Sequence, residues 1–179
     1  MTSPKVRSRN SNGLRASSKT GDFQKWLETS QPDIAGFQEV KAQPSQVDST
    51  VWERLGYSAT WHPAERPGYS GALLLTKVDI PVIRVGIEDA EFDAEGRVIQ
   101  AELPEITVIT SYFPNGGKGD RLPFKFAFYE KFLANCDAIR AGGRPVVFMG
   151  DMNVAHTAAD RASGAIPGRE PAPLSAVGP

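Results

Sequence analysis

The stretch QPDIAGFQEVK, residues 31–41, joins the end of a helical pattern to a strand and then to a carboxylate. Pro32 ends the preceding helical pattern, and the short apolar run from Ile34 to Phe37 predicts a buried strand. Glu39 follows almost at once, at the edge of the predicted sheet, where ligands and metal ions usually gather. Taken alone, a glutamate in such a position is more often a solvated loop residue.

Helical and strand patterns alternate on both sides of this stretch. The strongest helix is predicted over Leu122 to Arg140, with Pro123 in its first turn and two glycines after its end. A second helix is predicted over Gln46 to Leu55. Further strands are predicted at residues 57–61, 72–76, 80–85, 98–103, 106–112 and 145–149. Several strands mixed with helices indicate an α/β or α+β sandwich.

Composition limits the classes of protein to consider. The 179 residues are 40% hydrophobic and 23% charged, which suits one globular domain, and the formal net charge is −1. Any binding of nucleic acid must therefore come from a local basic face. No apolar run approaches the roughly 20 residues that span a bilayer, so no membrane association is predicted. The single Cys136 and the absence of a secretory pattern in residues 1–12 predict a cytoplasmic location.

The character of the chain changes after about residue 160. Residues 161–179 are rich in Ala, Gly, Pro and Ser and have almost no apolar periodicity. We therefore predict a folded domain over residues 1–160 and a disordered tail over residues 161–179.

A second carboxylate follows the apolar strand at residues 145–149. Asp151 and Asn153 are two residues apart, so in an extended stretch both side chains point to the same side and could face one ligand. The alternative is an ordinary turn, because Gly-Asp and Asn are good turn formers. The two interpretations are equally supported by the residues alone.

Three other positions are weaker candidates. Tyr112 ends a predicted strand, and its hydroxyl could reach a phosphate oxygen, although such a tyrosine usually packs at the rim of a core. Asn10 lies beside an Asn-Gly pair that normally indicates a loop. Arg121 and Lys125, four residues apart at the start of the long helix, could present cations to a phosphate backbone. A solvated helix face is at least as good an interpretation of that spacing.

The candidate ligands are hard oxygen donors. Glu, Asp and Asn without Cys or clustered His suit Mg²⁺ or Mn²⁺ rather than zinc. Mg²⁺ is commonly held by one or two carboxylates together with substrate phosphate, so hydrolysis of a phosphodiester or phosphate ester is the predicted reaction class.

Six segments, read in order, carry a family resemblance. They are KVRSRNSNGLRA (5–16), QPDIAGFQEVK (31–41), GYSGA (68–72), EGRVI (95–99), YFPNG (112–116) and MGDMNVAH (149–156). Together they resemble the exonuclease III family of AP endonucleases, within the endonuclease/exonuclease/phosphatase superfamily. The resemblance covers about residues 5–160.

The resemblance implies a role for each candidate. Asn10 and Glu39 match metal-site residues, and Glu39 would hold Mg²⁺. Tyr112 matches a tyrosine that contacts the scissile phosphate, and Asp151 a general base that activates water and also belongs to the metal site. Asn153 matches a partner that orients phosphate or metal. The family also has basic residues near the DNA backbone where this chain has Arg121 and Lys125.

The family's fold and substrates follow as expectations. The fold is a four-layer α/β sandwich with two central sheets, here incomplete at the carboxy terminus. The substrates are double-stranded DNA with abasic sites or 3′ ends, cut with divalent metal to leave a 3′-hydroxyl. Family members are monomers, whereas exposed sheet edges and apolar surface in the shortened chain predict self-association or a partner.

Two departures from the family pattern bear on activity. Family members usually read SWN in the first strand, whereas this chain has Arg9 before Asn10 and Ser11 after it, so we predict that this strand is frayed or displaced. The family's later segment, with its final serine-aspartate-histidine, has no counterpart here, and neither His62 nor His156 matches that histidine. We therefore predict weak or no nuclease activity.

Two other functions remain open at this point. The chain could be a catalytically silent DNA-binding or interaction module on the same scaffold, which the missing histidine favours and the intact Glu39, Asp151 and Asn153 oppose. It could also be a phosphatase of the same superfamily, although YFPNG and GDMNVAH fit the DNA-repair branch better.

Overall fold

The computed structural model describes residues 4–117 and 121–154, and these form two four-stranded β-sheets with helices outside them. The first sheet contains β1 (Val6–Asn10), β2 (Ile34–Gln38), β3 (Ser58–His62) and β4 (Ala72–Thr76) in the order β1-β2-β4-β3. β1 and β2 are parallel, and the other neighbouring pairs are antiparallel. The apolar run from Ile34 to Phe37 lies in β2, and all five residues of β2 are buried because both faces of the strand are covered.

The second sheet contains β5 (Val82–Val85), β6 (Val98–Glu102), β7 (Thr107–Tyr112) and β8 (Val146–Asp151) in chain order. β7 and β8 are parallel, and the other pairs are antiparallel. The predicted strands agree with the observed ones to within one or two residues at each end.

Helices cover the outer face of each sheet. α1 (Leu14–Lys19), α2 (Asp22–Ser30) and α3 (Thr50–Glu53) pack on the first sheet through Leu14, Phe23, Leu27 and Trp52. α4 (Ala90–Asp93) and α5 (Arg121–Ala141) pack on the second sheet through Phe92, Phe128, Phe132 and Cys136. A third apolar cluster, which includes Ile34, Leu74, Ile99 and Val108, fills the space between the sheets. The predicted four-layer α/β sandwich is confirmed.

The helix predicted over Gln46 to Leu55 is much shorter in the structure. Only Thr50–Glu53 is α-helical, and a 3₁₀ turn occupies Pro44–Gln46. The side chain of Asp48 explains the late start, because its Oδ1 accepts hydrogen bonds from the backbone nitrogen of Thr50 at 3.0 Å and from its hydroxyl at 2.8 Å. Such local bonds favour a turn over a continuing helix.

The prediction of a frayed or displaced first strand is wrong. Val6–Asn10 pairs in regular parallel register with Ile34–Gln38. Arg9 is not buried without a partner, because its guanidinium lies 5.5 Å from the centre of the Trp26 ring. The Ser11 hydroxyl donates to the carbonyl oxygens of Gln38 and Glu39 at 2.9 and 3.2 Å. Both polar side chains are therefore satisfied locally.

β8 lies at one edge of the second sheet and pairs only with β7 among the described residues. Val147 and Phe148 on this strand are 48% and 44% exposed, so apolar surface is indeed present at this edge.

In the described part of the chain, no helix combines the length and apolar character needed to cross a bilayer. The predicted disordered tail, residues 161–179, lies outside the described residues, so the predicted division at residue 160 stays a prediction.

Candidate active site

The predicted site residues meet at one edge of the sandwich because of how the strands run. β1 and β2 are parallel, so Asn10, at the end of β1, lies close to the residues that follow β2. β7 and β8 are also parallel, and their register pairs Tyr112 with Asp151 at the strand ends. The Asn10 side-chain amide crosses between the sheets and donates to Asp151 Oδ2 at 2.7 Å. That bond joins the two halves of the site.

Asp151 and Asn153 form a small structured turn. The backbone nitrogen of Asn153 donates to Asp151 Oδ1 at 2.9 Å, and Asn153 Nδ2 donates to the carbonyl oxygen of Phe113 at 2.8 Å. Asp151 thus receives one hydrogen bond on each carboxylate oxygen. The backbone bond from Asn153 to Asp151 is the turn that the sequence also allowed, and the bond from Asn10 brings Asp151 next to another candidate, so their role toward a ligand stays a prediction.

Tyr112 is next to both carboxylates of the site, Glu39 and Asp151. Its side chain is 8% exposed. Burial, and next the negative charge of Glu39, raise the pKa of Tyr112 to about 12, while hydrogen bonding to Asn153 and the charge of Arg97 act in the opposite direction. The hydroxyl is therefore protonated at neutral pH. It can donate a hydrogen bond to an anion, and it is not available as a phenolate nucleophile.

Glu39 comes directly after β2 in a left-handed backbone conformation, with φ of 56°. Its Oε1 lies 2.9 Å from Lys41 Nζ, and the same amine donates to Asn12 Oδ1 at 2.9 Å. The main chain is held in place, because the Glu39 carbonyl accepts from Gly13 N at 2.8 Å. A glutamate that sequence alone would assign to a solvated loop is in fact fixed in position.

Backbone strain is concentrated at this edge. Seven non-glycine residues among those described have positive φ, and Asn12, Glu39, Lys41 and Asn153 are four of them. Such conformations are costly for residues with a Cβ and collect at functional sites, where surrounding contacts hold them. The concentration supports a functional assignment for this edge.

Arg121 and Lys125 are near the site, and each has a partner within the protein. Arg121 Nη2 lies 2.8 Å from Glu95 Oε1. Lys125 is only 8% exposed and its Nζ donates to the carbonyl oxygen of Asn153 at 2.6 Å. Burial lowers the pKa of Lys125, with the charge of Asp151 opposing the shift. The alternative of a solvated helix face is wrong for Lys125, and the DNA-binding roles stay predictions.

The donor chemistry at this edge fits a hard divalent cation. Glu39 and Asp151 supply carboxylate oxygens and Asn10 an amide oxygen, and Mg²⁺ typically uses one or two carboxylates and retains several waters. Across the described ranges, no group of three or more His, Cys, Asp or Glu side chains could form a protein-only cage. The predicted metal set, Asn10, Glu39, Asp151 and Asn153, therefore fits an open site of the Mg²⁺ kind and stays a prediction.

His62 does not take the place of the histidine that the resemblance leaves unmatched. It is buried, and its Nδ1 and Nε2 lie 2.8 and 3.0 Å from the carbonyl oxygens of Val98 and Asp93. Both ring nitrogens are thus engaged by backbone. His156 lies outside the described residues.

Several residues at the site went unrecognised in the sequence. Lys41 pairs with Glu39, and Tyr129 donates to the carbonyl oxygen of Met152 at 2.7 Å. Arg97 lies under the Tyr112 ring, with its Cζ 4.9 Å from the ring centre. The EGRVI segment contained the signal for Arg97, because an arginine directly before an apolar strand must find a partner if it is buried.

The raised pKa of Tyr112 predicts a pH-dependent contribution to stability. Folding favours the neutral phenol, so its stabilisation is fully present below the ordinary tyrosine pKa of 10.0 and is lost as the pH rises through about 12. Urea unfolding at pH 9 and pH 11.5 should show that Tyr112→Phe loses less stability over this interval than the unsubstituted chain, by about 2 kcal/mol. Identical losses in both proteins would contradict the assigned environment of Tyr112.

Comparison with curated proteins relates this chain to several nucleases. It is 36% identical over 157 residues to an exodeoxyribonuclease of Bacillus subtilis (strain 168), covering 87% of this chain and 61% of that protein. It is 34% identical over 152 residues to exodeoxyribonuclease III of Haemophilus influenzae, covering 81% and 55%. It is also 34% identical to DNA repair nuclease APEX1 of Danio rerio, covering 87% and 51%. The chain thus spans between half and about three-fifths of these relatives.

Solved structures share the fold. An AP endonuclease from Archaeoglobus fulgidus superimposes with a TM-score of 0.75 at 25% identity, over 90% of this chain and 62% of that one. A 3′ phosphatase, NExo from Neisseria, bound to a product DNA hairpin, superimposes with a TM-score of 0.74 at 21% identity, over 88% and 60%. A profile of the endonuclease/exonuclease/phosphatase family matches residues 6–177. This chain therefore belongs to the endonuclease/exonuclease/phosphatase family.

Proposed function

We propose that this chain carries part of the active site of a Mg²⁺-dependent DNA repair nuclease that hydrolyses phosphodiesters at abasic sites and 3′ ends of duplex DNA. The observation that carries the proposal is the 2.7 Å bond from Asn10 to Asp151, which brings the Glu39 side and the Tyr112–Asp151 side of the sandwich together. The similarity to curated exodeoxyribonucleases and a DNA repair nuclease supports the choice of substrate.

The proposed chemistry assigns one task to each side chain. Asp151 orients a water molecule and accepts its proton, while Asn10 and the backbone of Asn153 fix the two carboxylate oxygens. Tyr112, which stays protonated at neutral pH, donates a hydrogen bond to a phosphate oxygen as negative charge develops there. The side-chain amide of Asn153 is anchored by Phe113 and supports the Tyr112 hydroxyl.

The metal would be held by Glu39 together with Asn10, Asp151 and Asn153. When bound, Mg²⁺ or Mn²⁺ neutralises charge on the phosphate and polarises its oxygens. Lys41 lies 2.9 Å from Glu39 and balances its charge in the present structure.

A basic groove beside Glu39 is our candidate path for the DNA backbone. A cavity of about 360 Å³ is lined by Gly13, Arg15, Ala16, Lys19, Lys41 and Gly68. Three of these residues are cationic, and Lys41 connects the groove to the site through its ion pair with Glu39. Because the whole chain has a net charge of −1, this local concentration supports the proposal of a backbone contact better than the overall charge does.

The groove predicts a specific salt dependence. For an abasic-site duplex, the logarithm of the binding constant falls as the logarithm of the salt concentration rises. Replacing Arg15 or Lys19 with Gln should make this slope shallower by about one, because each cation neutralises one phosphate. Fluorescence anisotropy at several salt concentrations measures the slope. Arg140→Gln is the matched control, because Arg140 is 68% exposed and pairs with Asp137 near the far end of α5. Equal slopes for all four proteins would rule the groove out.

The proposed function is tested by incision of an abasic-site duplex at high protein concentration, with Mg²⁺ and with chelator. Because no described histidine lies at the site, we expect slow incision that leaves a 3′-hydroxyl, that requires the metal, and that Glu39→Gln removes. Incision unaffected by Glu39→Gln would contradict the assignment. Faster hydrolysis of small phosphate esters than of DNA would indicate a phosphatase instead.

The engagement of His62 by two backbone carbonyls favours a second candidate, a catalytically silent DNA-binding module on the same scaffold. That function predicts salt-dependent binding to the abasic-site duplex without incision, even after prolonged incubation with Mg²⁺. The incision experiment and the anisotropy measurement together separate the two candidates.

We propose a cytoplasmic location, since the only cysteine, Cys136, is a buried free thiol that suits a reducing compartment. We further propose that this chain alone self-associates through the exposed Val147 and Phe148 on β8, in contrast to the monomer that the family resemblance implies. Exposed apolar residues on an edge strand are a typical origin of such association.

A further inference from the structure

Arg97 is the largest fully buried side chain among the described residues, with an exposed fraction of 1%. It lies directly before β6, in the loop that contains Glu95. Burial of a guanidinium is costly unless its donors and its charge are matched. The identity of its partners therefore indicates what this arginine does for the protein.

One set of contacts holds Tyr112. Arg97 Nη1 donates to the Tyr112 carbonyl oxygen at 2.7 Å, and the Tyr112 backbone nitrogen donates to the Arg97 carbonyl oxygen at 2.9 Å. The guanidinium carbon also lies 4.9 Å from the centre of the Tyr112 ring, within the range of a cation–π interaction. Arg97 thus contacts Tyr112 through backbone and ring together.

The opposite side of the guanidinium is held by a second group of residues. Arg97 Nε donates to Glu95 Oε2 at 2.7 Å, and its Nη2 donates to the Tyr69 hydroxyl at 3.2 Å. Arg121, from the first turn of α5, donates from Nη2 to Glu95 Oε1 at 2.8 Å and to the same Tyr69 hydroxyl at 3.2 Å. Glu95 is therefore shared by two arginines, and only one of them touches Tyr112.

We propose that Arg97 is a positioning residue that fixes the Tyr112 ring, and hence its hydroxyl, in the direction of Glu39 and Asn153. Glu95, with Arg121 and Tyr69 behind it, fixes the plane of the guanidinium. The planar guanidinium of Arg97 is essential. Its N–H donors must point in three directions while its flat face lies against the Tyr112 ring, and a lysine ammonium cannot do both. The catalytic part of this proposal rests on the proposed function, in which the Tyr112 hydroxyl contacts phosphate.

An exposed pair in the same sheet provides the comparison. Arg84 Nε lies 2.7 Å from Glu102 Oε1, the same distance as in the Arg97–Glu95 pair, but the Arg84 side chain is 61% exposed. Arg84 has no contact with any site residue among its recorded bonds. Arg84→Met therefore removes an arginine–glutamate pair of the same distance, at an exposed position and without touching Tyr112.

The first measurement does not depend on catalysis. The chain contains four tyrosines, so 3-fluorotyrosine labelling gives four fluorine resonances, and Tyr112→Phe identifies one of them. Arg97→Met and Arg97→Lys should shift or broaden the Tyr112 and Tyr69 resonances and leave those of Tyr57 and Tyr129 in place, while Arg84→Met moves none. An unmoved Tyr112 resonance in Arg97→Met would overturn the proposal. If all four resonances collapse because the variant does not fold, Glu95→Gln, which keeps the side-chain size, replaces it in the same test.

The second measurement separates positioning from DNA contact. In single-turnover incision of the abasic-site duplex, Arg97→Met and Arg97→Lys should lower the cleavage rate by about 10- to 100-fold, as expected for a misplaced catalytic group. The dissociation constant for DNA and its salt dependence should stay unchanged. A normal cleavage rate, or weaker binding with a lower salt slope, would overturn the proposal. Failure of the unsubstituted chain to cleave would count against the proposed function alone, and the fluorine spectra would still decide whether Arg97 positions Tyr112.

Discussion

Replacing Asp151 with asparagine is expected to lower the rate of abasic-site incision by about 10²- to 10⁴-fold, the usual contribution of a general base. The substitution removes the group that, under our proposal, accepts a proton from water. It also disturbs the local geometry. Asp151 Oδ2 accepts from Asn10 and Oδ1 accepts from the backbone nitrogen of Asn153, so both carboxylate oxygens are acceptors.

An asparagine side chain can satisfy only one of these two donors. Its amide nitrogen must then face either the Asn10 amide or the Asn153 N–H, donor against donor. The bridge between the sheets or the turn that holds Asn153 is weakened as a result. We expect this loss to lower the free energy of unfolding by about 1 kcal/mol, since these groups are partly exposed.

The measurement is single-turnover incision in Mg²⁺ at saturating protein, with DNA affinity measured separately by anisotropy. Removal of a negative charge should leave DNA affinity equal or slightly stronger, so a lower rate cannot be attributed to weaker binding. Asp137→Asn is the matched control, because Asp137 is an exposed aspartate on α5 whose ion pair within the described part of the chain is with Arg140. A rate for Asp151→Asn within about threefold of that of the unsubstituted chain, where a base should give 10² or more, would refute the assigned role.

Local patterns were sufficient to predict where Glu39, Tyr112 and Asp151 lie on the fold. Each follows or ends an apolar strand, and a buried strand in a two-sheet sandwich has a recognisable apolar run. Parallel pairing then brings the strand ends together. The sequence patterns did not show which strands are parallel, and the four-layer arrangement was expected only because of the family resemblance.

The contacts that assemble the site are not predictable from local patterns, because they join distant parts of the chain. Asn10 and Asp151 are separated by 141 residues. Arg121 pairs with Glu95, 26 residues earlier, although its position at the start of a helix indicated only a solvated cation or a DNA contact. Both contacts are set by tertiary pairing. No segment as short as one helix or one strand contains both partners of either contact.

Arg9 shows the opposite error, in which a local rule was applied too strictly. An arginine in a strand next to a core suggested a frayed element, yet its guanidinium reaches the Trp26 ring at 5.5 Å and stays partly exposed. Long side chains can leave the core while their stems remain on the sheet. The outcome depended on a neighbouring helix residue that the strand's own sequence does not contain.

A large effect on stability is expected at Gly36, in the middle of β2, where the first sheet packs closely against Thr110 and Met149 of the second. A Cβ added at this position would lie 2.6 Å from Thr110 Cβ and 2.8 Å from Met149 Cε, and it would also meet Thr110 Oγ1. Thr110 is fully buried, and its Oγ1 accepts a hydrogen bond from Gln38 Nε2 at 2.8 Å. The contact therefore cannot be relieved by a single flexible side chain.

Gly36→Ala should lower the free energy of unfolding by about 1 to 3 kcal/mol, since overpacking of a dense core forces backbone shifts. Strand propensity predicts the opposite sign, because alanine in place of an interior glycine normally gains about 0.5 to 1 kcal/mol. Urea unfolding measures the change. Gly142→Ala, at an exposed position after α5 where the nearest atom to a Cβ is Ile139 O at 3.3 Å, is the matched control and should change stability by no more than about 0.5 kcal/mol.

The same substitution should also affect the site, because the two sheets carry different halves of it. β2 leads to Glu39, whereas β7 and β8 end at Tyr112 and Asp151. Separation of the sheets at Gly36 lengthens the distance that the Asn10–Asp151 bond must bridge, and so the fluorine resonance of Tyr112 should move in Gly36→Ala and stay in place in Gly142→Ala. A stable Gly36→Ala protein with an unchanged Tyr112 resonance would show that the close approach of the sheets does not set the geometry of the site.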